Sequence, residues 1–427
     1  MAKILLKNGE LLGTDGQTTK ADIAIVDSII DQVGNVALDW QADQVIDCTN
    51  KLILPGFVNT HTHAAMSLFR SYADDMALMD WLQNKIWPAE DKLTGDDVYW
   101  GTLLAVAEML KSGTTTFNDM YFFMDEVAKA VAESGIRAVL SRGMTGVTPT
   151  AAQALVESEK LFDDWHGGAD GRITVMLGPH APYTCPPDYL KKVIALAGKL
   201  GAEIHIHLAE TAGEVADCHK EYGKSPIALM NELGLFEYGV LAAHCVHVSN
   251  EDIAIMQEKS VRVSHNPGSN MKLASGVAPL PAMLEAGLCI GVGTDGASSN
   301  NNLDMLEEIR LAALLHKVNT LNPVVIPATE AIALATSSGA EALGLGKVTG
   351  TLAHGYQADI TIVAMDSPQW YPRHNRASLL TYAANAADVD TVLVAGKVLV
   401  ENHKLTTIDE ERICFEAQKR GLRLAQS

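Results

Sequence analysis

The chain of 427 residues is 48% hydrophobic and has a formal net charge of −20, with 32 Lys and Arg against 52 Asp and Glu. This length is enough for one large catalytic domain and a smaller one. The acidic balance and the lack of a basic run argue against nucleic acid or an anionic membrane surface as a partner.

Neither a membrane span nor a leader is expected. No uncharged apolar run reaches spanning length, and the N-terminus lacks the apolar core and small-residue cleavage site of a signal peptide. The six cysteines are scattered and show no Cys-x-x-Cys spacing. This usage predicts reduced, mostly buried thiols and a cytoplasmic protein.

Residues 1–55 show the pattern of short strands joined by turns. Apolar runs at 4–6, 23–26 and 45–47 alternate with the turn signals Asn8-Gly9 and Asp15-Gly16. Such runs predict strands, and no helix of normal length is evident. This segment is therefore expected to form part of a small β domain.

From residue 56 to 355 the pattern changes to a strand followed by a helix, repeatedly. Helical stretches such as 98–111 and 187–200 separate the apolar runs. Eight such units predict an α/β fold, a (β/α)8 TIM-type barrel. The strand candidates are 56–63, 115–120, 137–143, 173–180, 203–210, 240–247, 261–266 and 287–295.

After residue 355 short strand candidates return at 358–363 and 389–400. We therefore predict that residues 1–55 and 356–427 together build one small β-sandwich around the inserted barrel. A final amphipathic helix is expected to begin near Asp409, a suitable N-cap residue.

The first strand of the barrel ends in the motif PGFVNTHTH at 55–63. Residues two apart on a strand share a face, so His61 and His63 direct their imidazoles to one point. By itself, such a pair is often only a surface feature. Polar residues recur, however, at the ends of the other apolar strands, where barrels of this kind carry their chemistry. These strand-end residues are Asp119, Arg142, His180, His207, Glu210, His244, His247, His265 and Asp295. The recurrence favours a metal site.

The motif IHIHLAE at 204–210 supplies the next candidates. His207 is the favoured ligand because it lies nearer the strand's end, and His205, one layer deeper, is interpreted as a hydrogen-bonded core histidine. Glu210 follows just past the strand. There it suits a proton carrier beside the metal, although an acid at a helix start would look the same.

The eighth strand ends at Asp295 within IGVGTDG at 290–296. Three histidines and one aspartate leave an open coordination position for a water, whose pKa a metal lowers towards neutrality. Asp295 is expected to take a proton from that water, and His244 to interact with the resulting hydroxide, whereas His247 is interpreted as structural. His180 and not a lysine ends the fourth strand, so no bridging carbamylated lysine is available there. This favours one metal ion.

These motifs, together with HNPGSNMKL at 265–273 and GTDGASSNN at 293–301, resemble the amidohydrolase superfamily. Within it, they are most similar to the methylthioadenosine/S-adenosylhomocysteine deaminases, over nearly the whole chain. The resemblance implies that His61, His63, His207 and Asp295 bind one divalent metal ion, with zinc as the default and iron or manganese as alternatives. It further implies that Glu210 protonates the purine ring, that His244 stabilises the attacking hydroxide and that Asp295 moves a proton to the departing ammonia.

The resemblance also implies four substrate contacts. Trp81 would line the nucleoside pocket, Glu90 would accept hydrogen bonds from the ribose, His180 would touch the purine edge and Arg142 would meet the tail of the substrate. Core packing for Trp81 and a solvated face for Glu90 remain the alternatives.

The sequence departs from the family at the tail. Some members grip a homocysteine carboxylate with a second arginine, whereas no arginine occurs here between Arg142 and Arg172. A single exposed charge pair is a weak anchor. We therefore expect uncharged tails, as in methylthioadenosine and adenosine-like nucleosides, to be preferred over S-adenosylhomocysteine.

Two other functions stay open. A related hydrolase could act on another heterocycle, such as guanine, a pterin or an s-triazine, and a metal-binding protein without catalysis would be expected to lack a ligand or a proton carrier. The sequence is compatible with a homo-oligomer, because barrels of this kind often pair, but no stretch identifies an interface.

Overall fold

The computed structural model describes residues 2–37 and 39–426. The N-terminal strands are β1 (Lys3–Leu12), β2 (Thr18–Val26), β3 (Ile29–Gly34), β4 (Gln44–Asp47) and β5 (Lys51–Pro55). Strands β1 to β3 form an antiparallel meander, while β1 also pairs in parallel with β4 through its first half and with β5 through its second. The pairing partner changes near Gly9, where a side chain would meet Ile53 at 2.3 Å.

Eight parallel strands follow one another in sequence order around the barrel. They are β6 (Phe57–Thr62), β7 (Thr114–Tyr121), β8 (Arg137–Met144), β9 (Ile173–Pro179), β10 (Ile204–Leu208), β11 (Val240–His244), β12 (Arg262–His265) and β13 (Ile290–Val292). The barrel closes where the Asp295 amide, just past β13, donates to the His61 carbonyl on β6 at 2.9 Å. The predicted barrel and all eight of its predicted strands are confirmed.

Helices connect the strands of the barrel, cover its outside and continue along the chain after its last strand. They are α1 (Leu78–Trp81), α2 (Trp87–Glu90), α3 (Gly95–Lys111), α4 (Met124–Ser134), α5 (Ala151–Trp165), α6 (Gly168–Gly171), α7 (Pro187–Leu200), α8 (Ala212–Tyr222), α9 (Pro226–Glu232), α10 (Asn250–Glu258), α11 (Pro267–Lys272), α12 (Leu280–Glu285), α13 (Met305–Thr320), α14 (Ala328–Leu334), α15 (Ser337–Ala342), α16 (Arg376–Tyr382) and α17 (Glu410–Ala425). The predicted helix at 98–111 begins earlier, at Gly95, because Thr94 and Asp97 cap it reciprocally. Asp409 caps α17 as predicted, accepting from the Arg412 amide at 3.1 Å.

None of the helices within 2–37 and 39–426 combines the length and the apolar character that crossing a bilayer requires.

The last strands return to the first sheet. They are β14 (Ile360–Ala364), β15 (Val389–Val394), β16 (Lys397–Glu401) and β17 (Lys404–Leu405). Strand β14 pairs antiparallel with β5, so both ends of the chain contribute to one nine-stranded mixed sheet in the order β17-β16-β15-β14-β5-β1-β2-β3, with β4 on β1. The predicted small β domain from both chain ends is confirmed, while its boundaries at 55 and 356 stay predictions.

The alternation along β5 shows how this sheet serves two cores. Leu52 and Leu54 belong to the large apolar cluster that fills the space between barrel, helices and sheet. Ile53, between them, joins a second cluster with Ile23 and Ile362. Because successive strand residues point to opposite faces, one face of the sheet supports the barrel and the other completes the core of the small domain.

A buried ion pair also links the two parts. Arg137, at the start of β8, donates to both carboxylate oxygens of Asp359, at 2.8 and 3.2 Å. Their side chains are 3% and 0% exposed, and Asp359 additionally accepts from the Ala395 amide at 2.7 Å. The pair therefore joins the base of the barrel to the strands that follow it.

We expect Asp359→Ala to lower the free energy of unfolding by about 3–5 kcal/mol, because it leaves the guanidinium of Arg137 buried without a counter-charge. Urea denaturation followed by circular dichroism measures the loss. Asp164→Ala is the matched control, since Asp164 forms an exposed pair with Lys160 and should cost at most about 1 kcal/mol. Equal midpoints for the two variants would contradict the role of the buried pair.

Candidate active site

Four predicted ligands converge at the C-terminal end of the barrel. Asp295 Oδ1 lies 3.4 Å from His61 Nε2 and 3.3 Å from His63 Nε2. His207 Nε2 lies 3.3 Å from His63 Nε2. His61, His207 and Asp295 are buried, and His63 is partly buried. The structure thus brings together side chains that are far apart in the sequence.

The hydrogen bonds behind the imidazoles show that this cluster fits a cation. His63 Nδ1 lies 2.6 Å from the Met120 carbonyl, and His207 Nδ1 lies 2.6 Å from the His180 carbonyl. A carbonyl only accepts, so each Nδ1 carries a proton, which leaves Nε2 as the nitrogen that can offer a lone pair. The two Nε2 atoms face each other, and His61 Nε2 is buried with no hydrogen-bond partner among the described residues. Such lone pairs suit a shared divalent cation.

The electrostatics favour the same conclusion. Burial lowers the pKa of His61 to about 4 and places the pKa of His207 well below its ordinary range. Burial opposes ionisation of Asp295, but the neighbouring histidines, His61 foremost, outweigh burial and hold its pKa well below the ordinary range. Neutral imidazoles and an ionised carboxylate are the forms that bind metals.

His205 lies directly beneath this cluster. Its Nε2 is 2.8 Å from His61 Nδ1, and its side chain is fully buried. This is the position expected for a hydrogen-bonded histidine one layer deeper in the barrel. It orients His61, as the carbonyls of Met120 and His180 orient the other two rings.

Several residues at the strand ends have left-handed backbone conformations. The φ angles are 52° at Ala209, 72° at His244, 47° at Cys245 and 62° at Asp295. Residues with side chains adopt this region at a cost, and such residues concentrate at functional sites. In Asp295, the turn allows the Gly296 amide to donate to Oδ1 at 2.8 Å.

Glu210 and His244 stand side by side next to the cluster. Glu210 Oε2 lies 3.9 Å from His244 Nε2, while His244 Nδ1 lies 2.9 Å from Asn270 Oδ1. Burial raises the pKa of Glu210. Burial acts to lower the pKa of His244, but the Glu210 and Asp295 carboxylates raise it above its ordinary value. The surroundings therefore favour the protonated form of both side chains.

A cavity of about 700 Å³ opens above the cluster. His63, His207, Glu210, His244 and Asp295 form its floor, and the fully buried His61 adjoins Asp295. The predicted substrate contacts all line the same cavity: Trp81, Glu90, Arg142 and His180. The structure thus supplies one concave site with convergent polar groups at its base.

The wall opposite the barrel is made by the helical stretch from Leu78 to Glu90. A π-helical turn at Leu82–Ile86 separates α1 from α2, and such turns often accompany functional sites. Trp81 is 5% exposed. The Glu90 carboxylate accepts from the Tyr121 hydroxyl at 2.7 Å, and burial raises the pKa of Glu90 to about 7.

The remaining strand-end residues have other partners. Asp119 accepts from the Ala64 amide at 2.7 Å, and His247 Nε2 lies 2.6 Å from the Ser275 carbonyl, which agrees with the structural role expected of His247. His265 pairs with His316, with 3.0 Å between their Nε2 atoms.

The sequence places the chain in a known enzyme family. A sequence profile of the amidohydrolase family matches residues 52–399. The chain belongs to the amidohydrolase family. It is 51% identical to a 5-methylthioadenosine/S-adenosylhomocysteine deaminase of Syntrophomonas wolfei, with 99% of each chain covered. It is 54% identical to the protein of the same description from Pelotomaculum thermopropionicum, again with 99% of each covered.

A solved amidohydrolase-type structure matches the whole chain. It is an adenosine deaminase from Xanthomonas campestris with bound zinc, at 33% identity and a TM-score of 0.96, covering 100% of this chain and 99% of that one. The family predicted from the sequence motifs is confirmed.

Sequence reasoning missed the residues that hold the amidohydrolase cluster in place. Ser269 and Ser299 donate to Asp295 Oδ2 at 2.7 and 2.9 Å. The Glu214 carboxylate accepts from the amides of Ala209 and Glu210, each at 2.8 Å. Both serines lie in motifs that carry the family resemblance, at 265–273 and 293–301. The spacing of these motifs, however, does not show that either serine donates to the Asp295 carboxylate.

Glu308 was missed as well, because it lies inside a helix with no distinguishing motif. It is fully buried, accepts from the Gly268 amide at 3.0 Å and contacts Asn300 Nδ2 at 2.7 Å. It therefore ties the helix bearing Ser269 and Asn270 to the loop bearing Ser299. Burial raises the pKa of Glu308 from 4.5 to about 8.

This shift predicts a pH dependence of stability. Between pH 4.5 and about 8 the unfolded chain has lost the Glu308 proton and the folded chain keeps it, so the contribution of Glu308 to stability falls as pH rises. Glu308→Gln cannot ionise. We expect the stability of the wild type relative to this variant to decrease from pH 5 towards pH 8, measured as the difference between urea midpoints.

The control is Glu307→Gln, because the Glu307 side chain accepts from Asn302 at 2.7 Å and takes no part in the contacts of Glu308 with Gly268 and Asn300. If the difference between wild type and Glu308→Gln stayed constant with pH, Glu308 would not carry the proton assigned to it.

Proposed function

We propose that the protein catalyses metal-dependent hydrolytic deamination of the adenine ring of 5-methylthioadenosine and related nucleosides, including adenosine, 5′-deoxyadenosine and S-adenosylhomocysteine. The products are the corresponding inosine analogue and ammonia. The observation that carries the proposal is the His61–His63–His207–Asp295 cluster at the floor of a cavity, beside the Glu210–His244 pair. Relatives of the same description over 99% of the chain support the substrate class.

One divalent cation, with zinc as the default, would be held by His61, His63, His207 and Asp295, where it would supply a Lewis acid that makes water nucleophilic near neutral pH. The zinc in the similar adenosine deaminase supports this choice. The described cluster provides one set of ligands, which favours a single ion.

The protein's own groups then manage the protons. Asp295 accepts the proton that the attacking water loses, and His244 donates a hydrogen bond to the oxygen that adds to the ring carbon. Glu210 delivers a proton to the adjacent ring nitrogen, so the added negative charge does not accumulate. The carbon–nitrogen bond then breaks as the departing amine receives the proton that Asp295 held. The hydroxyl group on the ring carbon becomes a carbonyl and gives its proton back to the Glu210–His244 pair, which restores the protonated Glu210. Water is consumed and ammonia leaves, so atoms and charge balance.

The walls of the cavity bind the remainder of the nucleoside. Trp81 offers an aromatic face to the nucleoside, Glu90 accepts from the ribose hydroxyls, and His180 contacts the purine edge. Glu90 already accepts from a hydroxyl, that of Tyr121, so a sugar hydroxyl meets an acceptor that is in place. Arg142 lies where the tail of the substrate would end. The cytoplasmic location and the homo-oligomer stay predictions.

The test of the proposed function is ammonia release by metal-loaded protein from methylthioadenosine, adenosine, S-adenosylhomocysteine, adenine and guanine. We expect turnover of the nucleosides and none of the free bases. In the same assay Glu90→Gln should lower kcat/KM for nucleosides by about tenfold or more, since it removes a charged acceptor from the ribose.

Any residual hydrolysis of free bases should respond less to Glu90→Gln, because a base has no ribose to hold. If Glu90→Gln lowered kcat/KM by the same factor for nucleosides and for free bases, the assignment of Glu90 to the ribose would be contradicted. Turnover of guanine, a pterin or an s-triazine, with all the nucleosides inert, would move the function to another heterocycle. No turnover of any compound would favour a metal-binding protein without catalysis.

Glu210→Gln tests the proton carrier. We expect kcat to fall by about two to four powers of ten, the usual contribution of general acid–base catalysis. Bound metal, measured by atomic emission, should stay at the wild-type amount because Glu210 is not assigned as a ligand. His207→Gln is the contrasting variant and should lose metal. Wild-type activity in Glu210→Gln would remove this residue from the mechanism.

A further inference from the structure

The outer end of the cavity lies between the end of β8 and helix α5. Arg142 and Glu157 line it, together with Thr148, Ala154 and Leu161. The Arg142 and Glu157 side chains are 14% and 42% exposed, whereas the Asp295 side chain on the floor is 7% exposed. If the ring that reacts lies on the floor, the substituent at the other end of the nucleoside points to this more open part.

The charge of Arg142 is already matched there. Its Nε donates to Glu157 Oε2 at 2.8 Å, and its Nη1 contacts the Gly143 carbonyl. The guanidinium also lies over the Phe122 ring, 5.2 Å from the ring centroid. Arg142 is thus held by three neighbours, and a carboxylate on the substrate would have to compete with Glu157 for it.

The surrounding charges are unfavourable to a second anion. Within the described parts of the chain, Arg142 is the only lysine or arginine that lines the cavity, whereas Asp91, Asp125 and Glu157 are carboxylates of its outer wall. Asp125 is fixed by the Trp165 indole, which donates to it at 3.0 Å. The outer wall of the cavity therefore has a net negative charge even after Arg142 is counted.

We infer that Glu157 is a specificity-determining residue, which makes the tail end of the cavity select nucleosides with neutral or cationic 5′ substituents over those with a carboxylate. This inference rests on the proposed deaminase function and names the substrate class within it. A methylthio group lies against Ala154 and Leu161 without disturbing the ion pair. A tail that ends in an amine gains the Glu157 carboxylate as a partner.

A homocysteine tail combines both charges. Its amine is accepted, but its carboxylate must either displace Glu157 from Arg142 or lie beside it. If the substrate carboxylate displaces Glu157, one ion pair of Arg142 replaces another. The Glu157 carboxylate then stays unpaired in a partly buried site, which weakens substrate binding. S-adenosylhomocysteine should therefore be the poorest of the three substrates.

The experiment compares kcat/KM for three nucleosides: methylthioadenosine, S-adenosylhomocysteine, and the decarboxylated analogue of the latter, which keeps only the amine. For the wild type we expect the decarboxylated analogue to exceed S-adenosylhomocysteine by about tenfold. Glu157→Gln should reduce this ratio by about three- to tenfold, the effect of removing one partly screened charge at contact distance. Raising the salt concentration should reduce the wild-type ratio as well.

Glu159→Gln is the matched control. Glu159 lies on the same helix, pairs with Lys199 on the surface and does not line the cavity, so the ratio should stay at the wild-type value. A wild-type preference for S-adenosylhomocysteine, or a ratio that Glu157→Gln leaves unchanged, would overturn the inference while methylthioadenosine is still deaminated. Loss of the proposed function itself would appear differently, as no turnover of any of the three nucleosides by the wild type.

Discussion

The arrangement on which the active site depends is a set of lone pairs that face one another. His63 and His207 present Nε2 atoms 3.3 Å apart, and Asp295 brings a carboxylate oxygen within 3.4 Å of His61. These atoms repel each other, and burial removes the water that would otherwise solvate them. A cation between them attracts each of these atoms and outweighs their mutual repulsion, so the cluster is suited to a bound cation.

Such a cluster keeps its geometry only if each of its side chains is held by further hydrogen bonds. The support comes from groups that bond the far side of each ligand: His205 beneath His61, the Met120 and His180 carbonyls behind the other imidazoles, and two serines on Asp295. Most of them belong to strands or to the turns that follow strands. The parallel barrel therefore supplies both the ligands and their orientation, and the left-handed conformations at the strand ends are part of that construction.

Much of this could be predicted because the barrel repeats one rule. Each apolar run ends in a polar residue, and parallel strands bring their ends together, so His61, His207 and Asp295 were expected to meet despite their separation in sequence. Contacts that depend on the path of a loop or on helix packing had no such rule. Glu308 meets Gly268 across two elements, and Arg142 meets Glu157 only because α5 returns over the end of β8. A periodic pattern predicts which face a residue occupies but not which side chain lies opposite.

This difference explains why chemistry was easier to predict than substrate choice. The floor of the cavity is made by strand ends, whose positions are fixed by the hydrogen bonds of the barrel, and its motifs are short and contiguous. The walls are made by the stretch from Leu78 to Glu90 and by α5, where a single helical turn changes which residue faces the ligand. Glu157 illustrates the point: it follows no motif, yet it accepts a hydrogen bond from Arg142, and the proposed selection of substrate tails depends on that contact. In this protein the strand ends place the floor of the cavity, and the helices that cover them place its walls.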